Sequence, residues 1–158
     1  MAIKGSELIE QVASINSRYD MLKTHFLQFK SQLKKHAAVF NNQNKLVISR
    51  SINESEFQII FCDRLFSFRL SASFLQATSL MGQITFSEDY PHDLLHSSLL
   101  YTFFIDEHGN ADIEKPEETE KDINITYAKS AVYLTAICLM KAFDQEKQNF
   151  ANCSKGNK

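Results

Sequence analysis

A chain of 158 residues is long enough to close one hydrophobic core and too short for two independent ones, so a single domain over residues 1–150 is expected, with 151–158 as a flexible tail. A composition that is 44% hydrophobic and 23% charged, with four Gly and two Pro, excludes extended disorder and fibrous repeats. The formal net charge of -2 gives no global electrostatic case for nucleic acid or an anionic membrane.

The clearest periodicity comes first. Leu8, Val12, Ile15, Tyr19, Leu22, Phe26, Phe29, Leu33, His36 and Phe40 follow alternating steps of four and three, which places them on one stripe of a helix. Such a helix, from about Ser6 to Phe40, is about 50 Å long at about 1.5 Å per residue. Ser6 offers a cap at its start, and Lys34, Lys35 and His36 suit the negative end of its dipole. Asn41, Asn42, Gln43 and Asn44 then stop it.

From Lys45 the period falls to two. Leu46 and Ile48 begin one strand; after Asn53, Glu54 and Ser55, a second places Phe57, Ile59 and Phe61 on one face. Asp63 and Arg64 are read as a tight reversal into residues 65–70, with Phe66, Phe68 and Leu70 facing inward. Residues 80–86 form another strand in which Gly82 marks a bulge or a close contact. Residues 99–105 are apolar on both faces, which fits a central strand or one covered on both sides. The stretch from Asp106 to Asn110 is turn chemistry, and Ala111, Asp112 and Ile113 are read as a short edge strand.

A second helix is expected from about Ile125 to Glu146, capped by Asp122 or Asn124. Its middle, from Ala131 to Met140, is apolar nearly all round and therefore buried on more than one side. The expected architecture is α+β: a long N-terminal helix, a five- or six-stranded mostly antiparallel sheet, and a buried C-terminal helix packed on the sheet. The second helix is expected to lie between the sheet and the first.

Cys62, Cys138 and Cys153 show neither paired nor metal-like spacing, and with no signal-like leader they favour a reducing, cytoplasmic location. The uncharged run at 130–140 has the length of a buried helix, so no membrane insertion is expected.

Chemistry has two candidate clusters. His92 and His96 stand four apart, a spacing that on a helix presents both rings to one side as metal ligands, but the Glu of the metalloprotease pattern is missing. Asp106 and His108 could pair as an orienting carboxylate and an acid/base, and a hairpin turn explains the same residues. The sequence holds no phosphate-cradling or dinucleotide glycine pattern, and no cofactor is expected.

The charge is uneven: Lys4, Arg18, Lys23, Lys30, Lys34 and Lys35 enrich the first helix in base, whereas acids dominate 106–122. Lys30, Lys34 and Lys35 are therefore candidates for phosphate contact in a nucleic-acid-binding regulator. The reading preferred here is a non-enzymatic protein-interaction module, an adaptor, chaperone-like factor or inhibitor, with a protein partner or a homodimer. Its contact residues are taken as Leu22, Phe26, Phe29, Leu33 and Phe40. A small histidine/carboxylate hydrolase or metal-dependent enzyme is the catalytic alternative.

Overall fold

The computed structural model describes residues 4–40, 46–76, 79–90, 97–113 and 123–155. In chain order they form helix α1 (Gly5–His36) continued by a 3-10 turn (Ala37–Phe40), strands β1 (Val47–Asn53), β2 (Glu56–Phe61), β3 (Arg64–Gln76), β4 (Ser79–Asp89) and β5 (Ser97–Ile105), and helix α2 (Ala128–Lys155). This is the expected α+β fold, with a sheet of five strands. Every neighbouring pair is antiparallel and the spatial order is the chain order, β1-β2-β3-β4-β5.

Strand alternation selects the face that is covered. Phe57 pairs with Phe68, Phe68 with Phe86, and Ile59 with Phe66, so aromatic rings run across three strands on one side. Ring centroids stand 5.2 Å apart for Phe57 and Phe68, 4.8 Å for Phe68 and Phe86, and 5.1 Å for Phe66 and Phe86. Helix α1 continues this packing upward: Phe26 meets Phe57 at 5.3 Å and Phe29 meets Phe68 edge-on at 5.2 Å. Gly82 is needed for close approach, since a Cβ there would sit 2.8 Å from the Ile105 side chain and 2.9 Å from that of Leu70.

The hairpin joining β2 to β3 turns at Cys62 and Asp63, whose φ angles are 51° and 59°. Two successive left-handed residues match the twist of a two-residue hairpin. The reversal therefore falls one residue earlier than the sequence suggests, and Arg64 already pairs with Phe61. Strand β5 is also relocated. It lies at an edge of the sheet, so its double apolar face does not mark a central strand. Residues 110 and 111 contribute isolated bridges rather than a further strand.

The two helices lie side by side on the same face of the sheet. α1 packs directly on β3 and β4, and α2 packs on β5 and on α1. This corrects the expected stacking of α2 between α1 and the sheet: the Phe26 and Phe29 rings need the phenyl surface below them and leave no room for an intervening helix. α2 buries Ala131, Leu134, Thr135, Cys138, Leu139 and Ala142. The Thr135 hydroxyl donates to the Ala131 carbonyl at 2.9 Å, and burial pushes the Cys138 thiol far up, so it stays neutral and packs as a small apolar group. The helix runs to Lys155, so residues 151–155, read from sequence as tail, are helical. Among the described residues, no helix is long and apolar enough to cross a membrane.

One polar clamp holds α2 to the sheet. The Arg64 guanidinium grips Glu88 with two bonds of 2.7 and 2.6 Å and donates to Glu146 of α2 at 3.1 Å. It also stands 5.5 Å from the Phe66 ring and 5.3 Å from the Phe143 ring. The hydrogen bonds to Glu88 raise the Arg64 pKa further above its usual value. Glu88 is buried, so loss of its partner strands a desolvated carboxylate. Arg64→Ala is expected to cost about 2–3 kcal/mol in urea unfolding. Glu146→Ala, on an exposed partner, is expected to cost under about 1 kcal/mol in the same measurement.

Candidate interaction surface

The stripe of α1 is buried over only half of its length. Leu22, Phe26, Phe29 and Leu33 are 0–1% exposed, while Leu8, Val12 and Ile15 on the same stripe are 47%, 63% and 37% exposed. The first 14 residues of the helix, 5–18, therefore project about 21 Å beyond the core at about 1.5 Å per residue. They remain helical because nothing after Gly5 breaks the pattern, and Glu7 in the first turn complements the helix dipole.

The root of this projection is pinned on both flanks. On one side the Tyr19 hydroxyl lies 3.1 Å from that of Ser55, and the Lys23 ammonium reaches Asp20 at 3.0 Å and Glu54 at 3.4 Å. Hydrogen bonding to Asp20, then to Glu54, raises the Lys23 pKa. On the other side the His25 Nε2 bonds the Glu107 carbonyl at 2.8 Å. These contacts anchor α1 to the turn between β1 and β2 and to the turn after β5.

Beneath the root, the β3–β4 hairpin outruns its neighbours. β2 pairs with β3 only as far as Arg69, and β5 pairs with β4 only as far as Gly82, so residues 73–76 and 79–81 extend as a two-stranded ribbon. Phe74 pairs with Leu80 on the helix-bearing side; Leu80 is buried and Phe74 is 55% exposed. A cleft of about 300 Å³ opens where the parts meet, lined by Arg18 and Leu22 of α1, Leu80 and Met81 of β4, and Asp106, Glu107 and His108.

The turn at one wall of this cleft is stapled by Asp106. Its Oδ1 accepts the backbone N–H groups of His108 and Asn110, each at 2.9 Å, and its Oδ2 accepts the Asn110 side-chain amide at 3.3 Å. Gly109 takes φ 86° and donates to the Asp106 carbonyl, while Asn124 donates to the His108 carbonyl at 2.8 Å. The Asp106 carboxylate thus serves backbone N–H groups and Asn110, and the exposed His108 ring lies 3.5 Å from the Glu107 carboxylate instead. The two residues share a wall without forming the acid/base pair envisaged from sequence.

The other candidates fall elsewhere. His92 and His96 lie outside the described residues. Among the described residues, no group of three or more His, Cys, Asp or Glu is placed to hold a metal ion. Lys30 is half-buried, and Lys34 and Lys35 are exposed in the last turns of α1, where they complement the helix dipole at the end opposite the projection. Leu22, Phe26, Phe29 and Leu33, the contact residues expected from sequence, are buried in the core of the single chain, with Phe26 and Phe29 against Phe57 and Phe68. Phe40 is half-buried against Phe61 at 6.3 Å. On α1, exposed apolar side chains lie upstream of these, at Leu8, Ile9, Val12 and Ile15, and Phe74 of β3 is exposed as well.

Comparison with protein-family models, curated proteins and solved structures returned no match.

A stapling role for Asp106 has a direct consequence. Asp106→Ala is expected to lower unfolding stability by about 1–3 kcal/mol through loss of its N–H partners. His108→Ala is expected to change it by less than about 0.5 kcal/mol, both measured by urea denaturation.

Proposed function

We propose that this chain is a non-enzymatic protein-binding module, an adaptor, chaperone-like factor or inhibitor, that works through the projecting half of α1 and the adjoining β3–β4 ribbon. The observation that carries the reading is the break in burial along one uninterrupted apolar stripe, between Ile15 and Leu22. A stripe at four and three spacing is the surface that an amphipathic helix buries against another helix or in a groove. Each Leu, Ile or Val taken from exposure to full burial contributes about 1.5–3 kcal/mol, so a few such side chains offset much of the cost of association.

The polar rim adds selectivity. Arg18 and Glu107 flank the cleft with opposite charge, and such rim groups penalise partners of mismatched sign more than they strengthen the correct one. The catalytic and nucleic-acid alternatives rest on less: Asp106 is committed to its own turn, and Lys34 and Lys35 lie at the far end of α1.

In-cell photo-cross-linking tests the reading. A photoreactive residue replacing Val12 is expected to yield protein adducts, and the same residue replacing the exposed Asp144 of α2 serves as the control. Equal or absent labelling at the two positions removes the proposal.

A further inference from the structure

Resting on this protein-binding reading, we infer that the cleft between α1 and β4 receives the free amino terminus of a partner polypeptide, laid extended along the line of β5 and antiparallel to β4. Main-chain geometry comes first. The Leu70 N–H donates to the Ser55 carbonyl, away from its partner Ile84, and Phe104 exchanges bonds with Asp112, away from its partner Gln83. Bonded directions alternate along an antiparallel ladder, so Ile84 and Gly82 turn their N–H and carbonyl groups toward β5, and Leu80 turns its own the same way. β5 ends at Ile105, opposite Gly82, so the Leu80 groups open into the cleft, and among the described residues no other main-chain bond takes them. One residue of an added strand, with an N–H and a carbonyl of its own, satisfies both.

The turn at 106–110 follows Ile105 at once and walls the cleft, so an added strand has its end there. Charge selects which end. Asp106 already accepts two backbone N–H groups and the Asn110 amide, while the exposed Glu107 carboxylate has the His108 ring beside it at 3.5 Å. A terminal carboxylate meets like charge at this wall, and a terminal ammonium meets its opposite. An amino terminus also makes the strand run outward from the wall as β5 does, which gives the antiparallel pairing of the rest of the sheet.

Helix α1 sets the order of groups along the cleft. His25 bonds the Glu107 carbonyl at the wall, Leu22 stands beside Leu80, and Arg18 lies seven residues before His25, about 10 Å farther out at about 1.5 Å per residue. Among the described residues the Arg18 guanidinium has no ion-pair partner. From the wall outward the cleft therefore presents an acid, an apolar floor with a main-chain pair, and a base. The first residue of the partner sits opposite Leu80: its ammonium donates to the Leu80 carbonyl and to Glu107, its carbonyl accepts from the Leu80 N–H, and its side chain faces Leu22. The third side chain returns to the α1 side, where a carboxylate meets Arg18. The partner is thus a free amino terminus with an apolar first residue and an acidic third, and a cleft of about 300 Å³ suits such a terminus.

Fluorescence anisotropy of the peptide Leu-Ser-Asp-Ser-Gly-Gly, carrying its dye at the carboxyl end, tests the inference with the whole chain. Saturable binding is expected, and acetylation of the peptide amine is expected to weaken it at least about tenfold. Glu107→Gln weakens binding about tenfold, and Arg18→Glu reverses the preference at the third residue from Asp to Lys. Both side chains are exposed, so the circular dichroism of each variant stays that of the parent. No saturable binding up to about 1 mM peptide overturns the inference, as does equal affinity for the acetylated peptide. An Arg18→Glu variant that keeps its preference for Asp overturns the placement of the third residue. Equal affinity for the free dipeptide Leu-Ser overturns the assignment to a protein terminus. If no peptide binds while position 12 still cross-links to proteins in cells, the amino-terminus inference alone is lost and the protein-binding reading stands.

Discussion

Two phenyl rings of α1, Phe26 and Phe29, sit on a sheet surface made of Phe57, Phe68 and Phe86, and the placement of every other part follows from that contact. The rings fix the line of α1 over β3 and β4, which leaves α2 the remaining space beside it over β5. They also fix how far the helix reaches. With Leu22 docked near the end of the β4 pairing with β5, residues before it have no sheet beneath them except the β3–β4 ribbon. An apolar stripe longer than its supporting surface is thus a geometric consequence of where two aromatic side chains come to rest.

The polar contacts refine this arrangement rather than create it. Arg64 joins the start of β3 to Glu88 on β4 and Glu146 on α2, bridging the two layers at one end of the sheet. Lys23, Tyr19 and His25 do the corresponding work at the other end, holding the root of the projecting helix to two separate turns. A helix held only by its apolar face could rock about Phe26 and Phe29. Contacts on both flanks of the root limit that motion and direct the projection along one line.

Periodicity made the elements legible and stopped short of their contacts. The step from a period near 3.5 to one of two at Lys45 located the change from helix to sheet, and the alternation of Phe57 with Ile59 and of Phe66 with Phe68 named the inward face. What the stripe of α1 could not reveal was where its cover ended, because burial depends on how far the sheet extends under it, and that is a property of strand register. The apolar run at 99–105 misled for a related reason: composition reports which faces are apolar, whereas edge or centre is decided by topology. The Asp106 and His108 pair was legible as turn chemistry, and only the backbone N–H groups around Asp106 show why the carboxylate is there.

The sheet edges offer a second place for association, and comparing them with the projecting helix is instructive. β1 carries two breaks of register along its pairing with β2, which disrupt its outer ladder. β5 has no charged residue, Pro or Gly, and so lacks the usual chemical guards of an edge. Its pairing with β4 nevertheless shifts register where Leu100 is the extra residue, and Phe104 is already tied by both the main-chain N–H and the carboxylate of Asp112. Because outward-facing groups alternate, Thr102 is the residue between these two features that points its N–H and carbonyl away from β4. A window that short gives an added strand little to hold, whereas the α1 stripe presents successive ridges on a rigid, anchored helix. At its far end the edge of β5 is covered by the chain itself, through the bonds of Phe104 with Asp112 and the bridge of Ile105 to Ala111.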